Sequence, residues 1–513
     1  MINGLGKNQV IGSTLIERNQ RLSQSRLWHL HSEFYKQSGV SAWTQGLVPH
    51  YITNNPYIAN AYVRLAQSFL SALNLQDASQ PVYIMELGAG SGRFAHHFLK
   101  LFHAAIEKTP LASHRIIYVL TDLAESNVIF WKQHPSFQPY IMSGQLDLAC
   151  FDPLQDQEIR LVCSGKTLSK KDFVNPQVII ANYFIDSLAN DVFSVYNGAF
   201  CEQLVSLEIQ NRQYAIDDPE ILRSLEISFH PHLITTNYYS FPDYNRILHS
   251  YQHIPNGSTI LFPVNAMDSL RNLINISSQQ TMLISADKGN YRIENLHTFG
   301  EPEISLHGSA ISMMVNYHAL AEYFKLHGGR VLQAKHREEG LVFSVFFTKS
   351  SEPAFTSTQF TFDQAFEACS PDDFFVLKKS IQQNYELMSL EQLLAFLRIS
   401  LYDPQILRDM APFLIEQIKN ASEIQQECLY EAVCRGRDLF YPIGEPIDLY
   451  LLLARIYIHL FRYTEALTCL QASRSFFGVN AEVEEIITTI PPECRPAEFQ
   501  LDDGSIFSKD KDI

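Results

Sequence analysis

Glu86-Leu87-Gly88-Ala89-Gly90-Ser91-Gly92 is the stretch whose residue types and spacing most directly imply a ligand. Glycines at 88, 90 and 92 permit φ > 0 and carry no Cβ, so a ligand's polar tail can lie against the backbone. A helix opening after the turn presents free N–H groups to a carboxylate. A dinucleotide turn has the pattern G-x-G-x-x-G; here the pattern is G-x-G-x-G, with Glu86 two residues before the first glycine. A carboxylate beside a pyrophosphate is repulsive, whereas beside an amino group it is favourable. The implied ligand carries a carboxylate and an ammonium on one tail, which describes the methionine end of S-adenosylmethionine.

Two further acids extend the pattern. Asp122 falls at the end of the apolar run Arg115–Leu120, where a carboxylate accepts both hydroxyls of a ribose. Asp152 follows the run Leu146–Phe151 and is positioned to accept from an adenine amino group, with Asp147 as its competitor. Taken singly, such aspartates are the ordinary material of helix N-caps and loops. Three acids at three successive strand ends fit better with ligand binding at the carboxyl edge of an open parallel sheet.

The elements that must hold these residues can be read from the hydrophobic pattern. Val82–Met85, Arg115–Leu120, Leu146–Phe151, Val178–Ala181 and Thr281–Ser285 read as buried strands, with helical spacing after Pro56 and from Arg93 to Ala105. Arg330–Ala334 and Leu341–Phe347 read as a closing antiparallel pair. Alternating strands and helices predict an α/β, Rossmann-like, doubly wound and mainly parallel sheet. Residues 1–26 are expected to be a flexible tail, 27–349 the α/β domain, 350–362 a Ser/Thr-rich linker, 363–490 an all-α domain and 491–513 a second tail.

Composition narrows the function classes. The chain has 513 residues, 46% hydrophobic and 18% charged, with 39 Lys+Arg against 55 Asp+Glu and a net charge of −16. That balance disfavours nucleic-acid and electrostatic membrane binding and favours cationic partners such as basic proteins. The eight cysteines are scattered without Cys-x-x-Cys or zinc spacing, so no metal is expected and the thiols read as buried in a reducing compartment. The first 30 residues lack a secretory pattern and no run approaches the ~20 apolar residues of a membrane helix, which together predict a cytoplasmic protein.

The chain resembles the class I S-adenosylmethionine-dependent methyltransferases and, more narrowly, the MidA-like family, which includes the mitochondrial arginine methyltransferase that assists respiratory complex I assembly. The resemblance covers roughly residues 30–348 and rests on three segments. Glu86–Arg93 is similar to the family's E-x-G-A-G-x-G. Tyr51-Ile52-Thr53-Asn54-Asn55-Pro56 is similar to its Φ-x-T-(S/A)-P-E. Ala181-Asn182-Tyr183-Phe184-Ile185-Asp186-Ser187-Leu188 resembles its A-N-E-Φ-Φ-D-A-L-P. The resemblance implies S-adenosyl-L-methionine as cofactor, held by Thr53, Glu86, Gly88, Gly90, Gly92, Asp122 and Asp152. Asn182, Tyr183, Asp186 and His50 are the implied catalytic residues, with Asp186 as base or orienting acceptor. His50 reads equally well as a loop cap. Two positions depart from the pattern: Tyr183 stands where the family has glutamate, and Ala189 where it has proline. A glutamate there would partner a guanidinium. Further on, Asp287-Lys288-Gly289 ends the fifth strand, and His307-Gly308-Ser309 with Met313, Met314, Asn316 and His318 follows; Gly308 and the polar residues read as a substrate wall, while Met313 and Met314 read equally well as ordinary core.

Beyond the linker, Tyr450, Leu453, Ala454, Tyr457, Ala466, Leu470 and Ser473 fit one tetratricopeptide (TPR) unit. Such a region serves as a docking surface for a protein partner or props the first domain. The function expected is methylation of a nitrogen on a protein acceptor. The alternatives are a non-catalytic scaffold recruiting partners through its helices and a small-molecule methyltransferase.

Overall fold

The structure is a computed structural model. It describes residues 14–48, 51–73, 75, 77, 79–209, 215–235, 237–277, 280–335, 341–349, 351–368, 370–478 and 481–496. The chain divides into two compact units, 1–374 and 375–513.

In chain order, the first unit opens with β1 (Thr14–Gln20), α1 (Arg26–Ser38) and α2 (Pro56–Ser71). Next come β2 (Val82–Leu87), α3 (Arg93–Ile106), β3 (Ile116–Asp122), α4 (Glu125–Gln133), β4 (Leu146–Cys150) and β5 (Gln177–Asn182). An antiparallel stretch follows, with β6 (Asp191–Tyr196), β7 (Ala199–Ile209), β8 (Leu225–Leu233), α5 (Pro242–His249), β9 (Ser258–Phe262) and α6 (Val264–Ile276). The unit continues through β10 (Thr281–Asn290), β11 (Ser305–His307), β12 (Ala310–Ser312), α7 (Tyr317–Leu326), β13 (Arg330–Gln333), β14 (Leu341–Phe347) and α8 (Glu352–Phe362).

The main sheet has the order β13-β14-β10-β5-β2-β3-β4. Its pairs are parallel except those of β14, which runs against both neighbours. The expected doubly wound α/β sheet is therefore present, mixed by one reversed strand. Continuous burial of β2, β3 and β14 follows from cover on both faces, which is why these strands read as unbroken apolar runs. Tyr83, Met85, Val119 and Ile179 pack on one face with Leu270 of α6 and Leu320 of α7. On the other, Tyr118 meets Phe98 of α3 at 5.3 Å and Phe347 meets Phe69 of α2 at 6.0 Å.

Three expectations are corrected. Residues 14–26 are no tail, for β1 pairs with β7 in a second, antiparallel sheet of order β1-β7-β6-β9 that also includes β8 along β7. These strands are invisible to a search for apolar runs because their outer faces are polar. Residues 1–13 of the expected tail, and 497–513 of the other, lie outside the described residues. Residues 352–362 are helix rather than linker: Phe355 packs on Phe347 at 5.3 Å, and the Thr358 hydroxyl donates to the Ala354 carbonyl at 2.7 Å. Side-chain bonding of that kind lets a Ser/Thr-rich helix satisfy its own polar groups. Nor are the thiols uniformly buried, since Cys150, Cys428 and Cys494 are exposed and, among the described cysteines, only Cys469 is buried.

The helices that follow are α9 (Pro371–Gln382), α10 (Leu390–Ile399), α11 (Pro404–Ile418), α12 (Glu423–Leu439), α13 (Leu449–His459), α14 (Tyr463–Phe477) and α15 (Ala481–Thr488). Within the second unit, α13 and α14 bring Leu453, Ala454, Tyr457, Ala466 and Leu470 to full burial. Asp448 caps α13 through the Tyr450 N–H at 2.8 Å and accepts from the Ser473 hydroxyl at 2.5 Å. No helix among the described residues is long and apolar enough to cross a membrane.

The N-terminal arm is fastened by charge. The Arg21 guanidinium lies 3.2 Å from Glu202 and 3.9 Å from Asp191, which are 4% and 0% exposed at the side chain, and stands over the Tyr238 ring at 4.5 Å. Removing a cation from two buried carboxylates leaves charge unpaired in low dielectric. Arg21→Met is expected to lower stability by about 3 kcal/mol, read as a melting temperature several degrees lower than that of an Arg435→Met control on the surface. An unchanged melting temperature would show that the arm is held by its strand pairing alone.

Candidate functional site

The site lies at the carboxyl ends of β3, β2 and β5 and beside the middle of β10. Register brings these places level: Glu86 pairs with Leu120 and Ile180, and Asn182 with Ala286. Between β2 and α3 the turn adopts φ of +59°, +57° and +80° at Gly88, Gly90 and Gly92. A Cβ would meet Phe184 at 2.9 Å from Gly88, Trp43 at 2.6 Å from Gly90 and Trp131 at 2.9 Å from Gly92, so only glycine fits.

Asp122 holds the turn open. One carboxylate oxygen accepts from the Gly90 N–H and the other from the Ala124 N–H, both at 2.9 Å. The Trp131 indole donates to the Gly90 carbonyl at 3.0 Å from the far side. Glu86 is engaged within the core, where it accepts from the Tyr118 hydroxyl at 2.7 Å, and burial pushes its carboxyl up to about 8. The acid expected to face an ammonium is thus largely neutral near pH 7. Asp152 accepts from the Leu154 N–H at 2.9 Å, and burial raises its carboxyl. Its competitor Asp147 is occupied by the Cys163 and Ser164 N–H groups at 2.9 and 3.1 Å, which ties down the chain after β4.

At the end of β5 the chain makes a strained turn. Tyr183 has φ of +47°, a left-handed conformation that costs a bulky non-glycine residue energy. Asn182 Oδ1 accepts from the Tyr62 hydroxyl at 2.7 Å, while its buried Nδ2 has no hydrogen-bond partner among the described residues. Asp186 lies beside Asp287, an acid within β10, and the two buried carboxyls act on each other. Asp287 also accepts from the Ile185 N–H at 3.2 Å. Burial pushes both carboxyls up, and for Asp287 the neighbouring carboxylate adds to the effect.

The structure thus gathers Asn182, Tyr183 and Asp186 with Gly88, Gly90, Gly92 and Asp122. Asp152 stands on the next strand end, with one oxygen committed to its own loop. Thr53 is buried just before α2, where Asn55 caps the helix through the Ile58 N–H at 3.1 Å. His50 lies outside the described residues. The sequence places Asp287 at the end of the fifth strand without a role; the structure puts it inside β10, next to Asp186. Met313 is buried, its N–H donating to the Asp186 carbonyl at 3.0 Å, and Met314 is exposed. His318 contacts the Tyr251 hydroxyl at 3.0 Å.

Residues 64–301 match the sequence profile of a family described as "Putative S-adenosyl-L-methionine-dependent methyltransferase". The protein is a methyltransferase that uses S-adenosylmethionine. No curated protein matches the chain. Among solved structures, the methyltransferase is similar to a superfamily member from Burkholderia thailandensis bound to S-adenosyl-homocysteine, with TM-score 0.39, 13% identity and coverage of 65% of this chain and 95% of that one. It is similar to a native structure from the same superfamily and organism, with TM-score 0.39, 12% identity and coverage of 65% and 94%. A DhpI–SAH complex matches with TM-score 0.26, 6% identity and coverage of 62% and 96%. Likenesses this distant say nothing about individual residues.

The methyltransferase's own residues fit its cofactor. The glycine turn is a cradle that any Cβ would fill, α3 opens behind it without a side-chain cap, and the unpartnered Asn182 amide stands at the neighbouring strand end. The raised Glu86 carboxyl carries a pH signature. Its neutral form is favoured in the fold, so stability it contributes is fully present below the ordinary value of 4.5 and falls as pH climbs through about 8. Glu86→Gln keeps an acceptor for Tyr118 and removes that loss. Its melting temperature relative to wild type is expected to rise between pH 5 and pH 9. A difference constant across that range would mean that Glu86 is ionised in the folded protein.

Proposed function

We propose that this methyltransferase acts on a cationic nitrogen group of a protein acceptor, with Asp186 and Asp287 as its acid–base pair. The observation that carries the reading is the pair itself: two neighbouring buried carboxyls, Asp186 on the turn after β5 and Asp287 within β10, beside a strained Tyr183 and the glycine turn. Where the MidA-like pattern has a glutamate, this chain has Tyr183, and Asp287 restores a second carboxyl from another strand.

Gly88, Gly90 and Asp122 would hold the cofactor, with Asp152 and Thr53 at its margins. When bound, S-adenosylmethionine supplies an electrophilic methyl group on a sulfonium. Asp186, raised toward neutrality, is poised to take a proton from the acceptor nitrogen, since a base works best with a proton affinity near the working pH. Asp287 and its partner Ile185 N–H hold Asp186 in place, and the Asn182 amide and Tyr183 hydroxyl orient the acceptor. The net charge of −16 favours basic proteins as acceptors. The buried Tyr450, Leu453, Ala454, Tyr457 and Ala466 support a TPR-like hairpin in the second unit, and with it a docking role.

Incubating the full chain with methyl-labelled donor and a basic protein extract tests this. Label is expected in precipitable protein and is expected to fall about 10²–10⁴-fold with Asp186→Asn, while calorimetric binding of S-adenosylhomocysteine stays within a few-fold of wild type. Label found only in small molecules would overturn the protein acceptor, and full activity in Asp186→Asn would overturn the base.

A further inference from the structure

The strand ends account for one side of the cofactor site; the other side faces an N-terminal cap. Trp43, on the short helix Ser41–Thr44, stands against the glycine turn, its Cζ2 2.6 Å from where a Gly90 Cβ would be. Tyr35 of α1 stacks on it with ring centres 5.8 Å apart and planes 28° apart. Burial and the carboxylates of Asp186 and Asp122 push the Tyr35 hydroxyl up, which puts this side chain in the field of both acids. Lys36, next along α1, acts electrostatically on Asp152 at the end of β4.

Its two halves are held differently. Leu27 and Leu30 sink into a core with Val205, Leu207 and Ile311, and His31 Nδ1 accepts from the Ile311 N–H at 2.9 Å. From Phe34 onward the cap belongs to a small separate cluster, in which Phe34, Ala42 and Ala310 are buried while Tyr35, Trp43 and Leu47 are only partly so. Gly39, with φ of +51°, and Gly46, with φ of +69°, bracket the short helix that carries Trp43. A firmly anchored stem thus leads, through a glycine, into a lightly held segment pressed on the cofactor turn.

We propose that Trp43 and Tyr35 are positioning residues for the cofactor: residues 39–48 form the outer wall of its site, and the cofactor enters and leaves when that wall swings away about Gly39. The inference rests on the methyltransferase reading. Aromatic faces suit the task, because a sulfonium is a cation and the faces of Trp and Tyr rings attract cations.

The test measures exchange of labelled S-adenosylhomocysteine by rapid filtration on the full chain. A Cβ on Gly308 would lie 3.4 Å from the Leu47 Cβ, close to the separation found in disulfides, so Leu47→Cys with Gly308→Cys can pin the wall. Oxidised protein is expected to load and release the probe at least tenfold more slowly than the same protein reduced. In a second variant, Trp43→Ala, both association and dissociation are expected to accelerate, by tenfold or more for dissociation. Equal exchange in the oxidised and reduced forms would overturn the proposal. So would a Trp43→Ala variant whose association rate is unchanged, which would make Trp43 a passive contact. If wild type, folded and free of ligand, binds no probe at all, the methyltransferase reading falls and the proposal falls with it.

Discussion

The Asp122 carboxylate is the joint on which the site depends. It takes hydrogen bonds from Gly90 on one side and Ala124 on the other, and so fastens the loop after β2 to the loop after β3. Three successive left-handed glycines have too much conformational freedom to hold one shape unaided. The carboxylate on one side and the Trp131 indole on the other remove that freedom. Burial would favour a neutral acid here, and the backbone donors oppose it, so the same bonds that order the turn keep charge at the place a ligand must meet.

The remaining acids are disposed by the pairing of strands. Glu86 and Tyr118 share a face and close over each other inside the core, whereas Asp287 emerges one residue beyond Ala286, the partner of Asn182. Asp186 reaches it from the short turn after β5. Two buried carboxyls, one from a turn and one from the neighbouring strand, are thereby brought together, where each makes ionisation of the other harder. Ordinary packing avoids such a pairing; a site that must accept and return a proton near neutral pH can use it.

The parts of the architecture most legible in the sequence were those governed by burial on both faces. Val82–Met85, Val178–Ala181 and Leu341–Phe347 read as strands because both of their faces are covered, and the glycine turn and Asp122 stood out because they end such runs. The antiparallel sheet was illegible for the opposite reason. Leu225–Leu233 and Thr14–Gln20 have exposed polar faces and resemble loops or a tail. Asp287 is visible in the sequence beside the fifth apolar run, but its partner Asp186 is brought to it only by the fold, while pairing with β14 carries the strand on to Asn290. The segment 352–362 read as a linker because its serines and threonines outweigh its phenylalanines in composition, though not in the space they fill. Tyr35 and Trp43 carried no local mark, since only the tertiary fold brings them to Gly90.

The pairing of β1 with β7 has a consequence for synthesis on the ribosome. Asn19 bonds to Ser206 across 187 residues of chain. At about 5–20 residues per second, the first strand waits roughly ten to forty seconds for its partner to be made. Throughout that interval the arm has no edge to join, and the stem of α1, whose apolar side chains pack on β7 and β12, has no floor. The order of emergence therefore leaves the wall over the cofactor turn among the last pieces of the first unit to settle, although it is made well before the strands that support it. A nascent chain in that state would offer helper proteins an unpaired strand and an apolar helix.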